Sequence, residues 1–254
     1  MKTLTQITKT ISLPQPKFGF LAAPLIALGV FSAATTASAQ TWDANADFSL
    51  ASNPNGQWTY QYYNGTTVTN QPFADSAFNG VAGFDAWAPG DNQLPMVGKN
   101  NTVATHFGWA PGVLAMHPQV SNFQSVVTWT APSAGQYSFA STFTWVGTGA
   151  SNGVLTSVSQ NLSVLPSSLG NMLIGGDSGN GNTYTLNSAS PLTLSTGDTL
   201  SWLVDAYQGN NGNDSTVLDA TVTAVPEAST TGFLILGSLF AGAVFMKNRR
   251  QHRA

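Results

Sequence analysis

The chain has 254 residues, no cysteine, and only 7% charged side chains, so solubility must come from amides and hydroxyls. Between Gln40 and Val225 the one basic residue is Lys99, set against ten Asp and no Glu, a formal charge of −9 with the histidines neutral. A body so acidic and free of arginine repels phosphate backbones and anionic lipid, which excludes nucleic-acid binding, while divalent cations and neutral glycans stay open as ligands.

The elements follow in chain order. Lys2, Lys9 and Lys17 precede the apolar run FGFLAAPLIALGVF and the small residues TTASAQ, the layout of a secretory signal peptide over residues 1–39. Ala37 and Ala39 supply the small side chains that a signal peptidase pocket accepts, which places cleavage before Gln40. A retained anchor is the alternative, but a spanning helix normally lacks that small-residue end. In an exported chain the missing cysteines leave core size, not disulfides, to hold the fold.

Residues 40–224 read as strands. QWTYQYY alternates Trp58, Tyr60 and Tyr62. SVVTWTAPSAG carries Val127 and Trp129 on one face and then a turn punctuated by Pro132 and Gly135. QYSFASTFTW puts Tyr137, Phe139, Ser141, Phe143 and Trp145 on one face, and the two strands are expected to form a hairpin. PLTLSTGDTLSWLVDAY alternates Leu192 with Leu194, turns at Thr196-Gly197-Asp198, and resumes with Leu200, Trp202, Val204 and Ala206. TVLDATVTAV sets Leu218, Ala220, Val222 and Ala224 against Asp219, Thr221 and Thr223. Gly-, Asn- and Ser-rich stretches such as APGDNQLPMVGKNN and QGNNGNDS read as loops. Together they predict an all-β, antiparallel β-sandwich or jelly roll of about eight strands in one domain.

The chain ends with a third part, residues 225–254. Residues 229–246 carry no charge and make a helix about 27 Å long at ~1.5 Å per residue, just enough to cross a bilayer. The basic tail, residues 247–254, carries Lys247, Arg249, Arg250 and Arg253, and the positive-inside rule keeps such a tail cytoplasmic and the domain outside. The succession VPEAST, apolar helix, KNRR resembles the PEP-CTERM sorting signal of Gram-negative bacteria. In that family an exosortase-type enzyme recognises the three parts together, on proteins bound for the cell surface or the exopolysaccharide matrix. Val225, Pro226 and Glu227 match the dipeptide region, and Arg249 and Arg250 the basic end, while Ala228 stands where the family has a second proline. A plain single-pass anchor is the other reading of the same span.

The stretches NPNGQWTYQY, MHPQ, SVVTWTAPSAGQYSF, GDTLSW and DSTVLDATVT are similar to an exported bacterial β-sandwich family that often carries this sorting signal and resembles carbohydrate-binding modules in architecture. SSLGNMLIGG has no counterpart in it. The resemblance implies a surface or matrix protein that is not an enzyme, or one that binds exopolysaccharide or another glycan.

Three kinds of chemistry are open. Trp87 in FDAWAPGD and Trp109 in HFGWAPG sit beside Pro-Gly turns, where an exposed indole would stack on a sugar ring. Asp43 and Asp47 in DANAD, with Asp214 and Asp219, would offer Ca²⁺ the hard oxygen ligands it needs if the terminal strands pair, although no stretch has EF-hand spacing. A hydrolase would need two carboxylates across a bond, drawn from Asp85, Asp91, Asp177, Asp205, Asp214 and Asp219, and no local motif arranges them. His106 and His117 are not spaced as a helical metal pair, GxSxG does not occur, and the GDSG of GDSGNG lacks the histidine motif and cysteines of trypsin-like proteases. Most of these Asp are therefore expected to cap turns.

Overall fold

A computed structural model describes residues 39–120, 123–162, 168–176 and 179–226. Strands β1 (Thr41–Asp43), β2 (Trp58–Tyr63), β3 (Val68–Asn70), β4 (Phe73–Asp75), β5 (Phe84–Ala88), β6 (Met96–Asn100) and β7 (Leu114–His117) come first. They are followed by β8 (Gln124–Thr130), β9 (Gly135–Trp145), β10 (Val154–Gln160), β11 (Ser168–Ile174), β12 (Thr183–Asn187), β13 (Leu192–Leu194), β14 (Thr199–Ala206) and β15 (Thr216–Val225). Single 3-10 turns at Phe78–Gly80 and Tyr207–Gly209 are the helical elements among the described residues.

The strands form two antiparallel sheets. One runs β12-β9-β15-β7-β6-β5-β4, with β1 added to β15 and β13 to β9. The other runs β11-β10-β14-β8-β2-β3. Between them lies the main core, in which Trp58, Trp129 and Trp202 are fully buried. Its indoles meet at tilted angles, Trp42 on Trp129 at 5.2 Å and Trp58 on Trp202 at 5.7 Å, the arrangement that the ring quadrupole favours. Each such side chain contributes roughly 1.5–3 kcal/mol by leaving water.

The period-two reading fixes the faces correctly. Tyr137, Phe139, Ser141 and Phe143 are all buried, as are Leu200, Trp202, Val204 and Ala206, whereas Asp219 of β15 points to solvent. It does not fix the partners. The expected hairpin of the 124–130 and 135–145 strands is corrected: β8 lies in the six-stranded sheet between β2 and β14, and β9 in the other. The chain changes sheet at 131–134, and again between β13 and β14 at 195–198. These two corners hold each other, since Ala131 N donates to Asp198 O at 2.8 Å and Gly197 N to Ala131 O at 2.9 Å. Alternation tells a strand which face is inward but not which sheet it joins.

The count of about eight strands is also corrected, because the described residues hold fifteen. SSLGNMLIGG contains β11, and the stretch taken for the loop APGDNQLPMVGKNN contains β6. Ala86, Trp87, Ala88, Met96, Val97 and Gly98 are buried whichever way they point, so alternation vanishes there. A second core of Phe78, Phe84, Ala86, Ala88, Met96, Trp109 and Ala115 lies on this side of the molecule, separate from the main core.

The ends of the domain are adjacent. Thr41 pairs with Thr223, and Ala224 N donates to Gln40 O at 2.8 Å, so the sheet begins at the residue after the expected cleavage point. Val225 closes β15 and Pro226 follows it. Ala39 and Gln40 are exposed. Ala37, Glu227, Arg249, Arg250 and the whole of the apolar segment at 229–246 lie outside the described residues.

Candidate functional site: an uncharged groove

The second core carries a groove, and a tight turn builds its wall. His106 and Trp109 exchange backbone bonds, His106 N to Trp109 O at 3.1 Å and Trp109 N to His106 O at 2.7 Å. The two residues between them, Phe107 and Gly108, have φ of 53° and 83°, the doubly left-handed form of a two-residue hairpin turn. Gly108 is needed for a second reason: a Cβ there would stand 2.3 Å from the Val146 carbonyl oxygen. The turn drives Trp109 inward against Phe84 at 4.8 Å and leaves Phe107 49% exposed, edge-on to Phe84 at 5.3 Å.

Above this core opens a first cleft of about 400 Å³, whose wall includes Phe78, Phe107, Trp109, His117, Asn79 and Asn213. A second, of about 510 Å³, is lined by Tyr62 and Phe123, whose rings lie nearly parallel at 6.3 Å, and by Gln93, Gln119 and Asn211. Asn92 and Leu94 line both clefts, so the two adjoin at these residues. No Asp, Glu, Lys or Arg lines either part. Six non-glycine residues among those described have positive φ, and four of them, Asn79, Asn92, Phe107 and Asn213, line the first cleft. Asn tolerates that conformation, but phenylalanine rarely adopts it, and such strain gathers where geometry serves a site. Asn79 N donates to Asn92 Oδ1, which ties two of these loops together.

Two polar side chains in the wall keep a ring nitrogen without a protein partner. The Trp109 indole N–H is buried without a partner. His117 Nδ1 meets the Pro118 carbonyl at 2.8 Å, and burial, opposed by that contact, lowers the pKa of the ring. Behind the wall, Asn213 and Ser215 face the cleft while Asp214 between them turns inward, where Ser151 Oγ donates to its Oδ1. Burial pushes the Asp214 carboxyl up to about 6, against the pull of Ser151 and with a further push from Asp205. Asp205 is itself raised by burial, with Gln124 Nε2 donating to it at 3.1 Å.

The expected exposure of Trp87 and Trp109 is corrected. Trp87 is 6% exposed, donates from Nε1 to Ser49 O at 2.8 Å and packs in the main core, because the loop before β2 folds over it. Trp109 is fully buried, yet it lines the groove from below. The residues that sequence reasoning missed are Tyr62, Phe107 and Phe123, and the signal that could have found Phe107 is the HFGW turn.

Asp43, Asp47, Asp214 and Asp219 were expected to meet, but among the described residues no three His, Asp or Glu side chains gather in one place. Asp43 Oδ1 accepts from Asn45 N and Ala46 N, and Asp47 Oδ2 from Asp43 N and Trp58 Nε1, so both are occupied in closing their own loop. Asp219 sits mid-strand on the outer face of β15, and Asp214 is enclosed. Of the other acids, Asp85 accepts from Asn101 Nδ2, Asp91 from Asn92 Nδ2, and Asp177 lies outside the described residues. Neither Asp205 nor Asp214 lines the groove.

No family model matches the chain, and no curated protein does. Among solved structures it is similar to a family 35 carbohydrate-binding module from Clostridium thermocellum, at 13% identity over 74% of this chain and 100% of that one, with a TM-score of 0.30. A family 11 module from the same organism, in complex with a β-1,3-1,4-mixed-linked tetrasaccharide, matches at 11% identity over 73% of this chain and 95% of its own, with a TM-score of 0.29. The C-terminal family 6 module of a marine laminarinase from Zobellia galactanivorans matches at 16% identity over 43% of this chain and 79% of its own, with a TM-score of 0.24. At such scores the bearing on function comes from the groove's own chemistry.

Proposed function

We propose that this chain is an exported β-sandwich protein whose groove binds a neutral polysaccharide, at the cell surface or in the extracellular matrix. The observation that supports the reading is a pair of adjoining clefts, rich in aromatic and amide side chains, with no Asp, Glu, Lys or Arg in the lining of either. Aromatic faces cover the C–H faces of sugar rings, and side-chain amides both donate to and accept from hydroxyls. A groove of this kind gives an anion nothing to pair with. Its protein has little else to hold one, with Lys99 Nζ committed to the Asn45 carbonyl at 2.7 Å.

The location belongs to the proposal and rests on the two ends of the sequence. Signal peptidase frees the chain at Gln40, and the apolar segment at 229–246 keeps the domain at the outer face until an exosortase-type enzyme acts at the Val225-Pro226-Glu227 signal. N-terminal sequencing of the exported protein is expected to begin at Gln40, and a start at Met1 would mean a retained anchor.

The binding test uses the full chain in a detergent without a sugar head group, against a panel of soluble polysaccharides, with calcium and again with a chelator. Saturable binding to a neutral glycan is expected, weakened about tenfold by Tyr62→Ala or Phe107→Ala, as suits the loss of one stacking ring. Loss of binding with the chelator would add Ca²⁺ to the protein as a bound ion. A blank from folded wild-type protein would leave a structural or adhesive matrix component as the better account.

A further inference from the structure

The lining of the first cleft includes one residue with an uncommitted donor and one with an uncommitted acceptor. Trp109 Nε1 can only donate, is buried, and has no partner. The partner of His117 Nδ1 is a carbonyl oxygen, which can only accept, so Nδ1 carries the proton and Nε2 of the neutral ring keeps a lone pair. We infer that Trp109 and His117 together bind a single hydroxyl group, whose oxygen accepts from the indole N–H while its proton is donated to His117 Nε2. The inference deepens the glycan reading and rests on it: the groove takes neutral, hydroxyl-bearing rings and rejects uronates. A carboxylate would satisfy the indole but face the imidazole lone pair, and an ammonium group would do the reverse. Only a group that donates and accepts at once satisfies both.

The chemistry sets a sign for pH. Burial keeps the ring neutral to lower pH than usual, and protonation turns Nε2 from acceptor into donor, so binding of a hydroxyl is lost on the acid side. An anionic ligand would bind more tightly there instead. Few other groups can imitate this. His117 pairs across to Met96 of β6, and Ser125 Oγ donates to its carbonyl. Its other neighbours in the cleft, Asn79, Asn92, Thr148, Asn213 and Ser215, do not titrate. The ionisable groups nearby are Asp214, turned to Ser151 behind the wall, Asp205 beside it with Gln124 Nε2 donating to it, Asp91, which accepts from Asn92 Nδ2, and His106, packed on Phe84 and Phe107 at the turn. Lys99 pairs with Leu114 at the far end of β7.

The test measures binding of a mixed-linkage β-glucan, a mannan, a laminarin and polygalacturonate to the full chain by calorimetry at about pH 7.5 and about pH 4.5, with folding checked at both. Wild type is expected to bind a neutral glycan at the higher pH and at least about tenfold more weakly at the lower, and to ignore polygalacturonate. Asp214→Asn and His106→Gln should keep that profile. Trp109→Phe, which removes the N–H and retains a ring against Phe84, should weaken binding about tenfold, while Trp129→Phe, whose indole is equally unpartnered but lies in the main core away from the groove, should not. In wild type, the Trp109 indole resonance should shift on saturation while those of Trp129 and Trp202 stay in place, a readout that stands even if Trp109→Phe fails to fold. Binding that is flat in pH, or a static Trp109 resonance in a protein that does bind a neutral glycan, overturns the inference and leaves the groove reading intact. Polygalacturonate binding that tightens in acid overturns it too, and no binding to any of the four removes the reading on which it rests.

Discussion

The two cores of this domain are built from the same residue types and do different work. The main core lies between the sheets, where Trp58, Trp129 and Trp202 are fully buried. The second core is covered on one side by turns, not by a sheet, and its largest member, Trp109, forms the floor of a groove. The comparison separates stability from recognition. The tryptophans between the sheets line neither cleft, whereas Trp109, under a turn, is buried by the fold and still lines one.

The sharpest way to break that distinction is a pair of truncations. Trp202→Ala removes a fully buried side chain from the main core and should lower global stability by about 3–5 kcal/mol, read by urea denaturation. Trp109→Ala removes an equally buried one, but hydrogen exchange should show the opening confined to β5, β6, β7 and the turns above them, with β10 and β14 still protected. Equal loss of protection in both sheets would mean that the two cores melt as one.

Asp214 stands where the two regions meet and should give the next largest effect. Its pKa rises from the model-peptide value of 3.8 to about 6 on folding, so the folded state holds the proton more tightly. The resulting stability is fully present below pH 3.8 and is lost as pH rises through about 6, a decline of about 3 kcal/mol at ~1.4 kcal/mol per unit. Asp205, raised for the same reason, adds in the same direction. Denaturation midpoints between about pH 4 and pH 8 should fall accordingly, and Asp214→Asn should flatten that slope and stabilise the domain at neutral pH.

The same contrast governs how much could be read from the sequence. Strand β9 and most of β15 bury their faces in period two, and in β14, although 200–204 are buried on both faces, Leu200, Trp202 and Val204 still alternate with Ser201 and Asp205, so those faces were legible. Partners were not, because the sheet changes at Ala131 and at Gly197 depend on a bond between two turns some 65 residues apart along the chain, which no local pattern encodes. Strands β5 and β6 were illegible for another reason: with both faces buried they lose alternation, and Pro89, Gly90 and Pro95 around them look like loop. The groove inherited that difficulty. Trp109 was recognised as a site residue, but by an argument for exposure that its burial corrects, and Tyr62 and Phe123 are brought to the groove by strand packing alone.

The smallest expected effects compare one glycine from each region. Gly197, in the turn from β13 to β14, has φ of 88° and nothing within 4 Å of a Cβ, so Gly197→Ala should cost only the left-handed backbone penalty, about 1 kcal/mol. Gly108 has φ of 83° but would place its Cβ 2.3 Å from the Val146 oxygen, adding a clash with backbone that cannot rotate away. Gly108→Ala should therefore cost about 2 kcal/mol and displace the turn from Val146. Because Gly147 and Thr148 follow Val146 into the cleft wall, glycan affinity should fall with it, while Gly197→Ala binds as wild type does. If both substitutions cost the same and neither alters binding, the turn above the second core is a passive lid, and the division of labour between the two cores fails at its most local point.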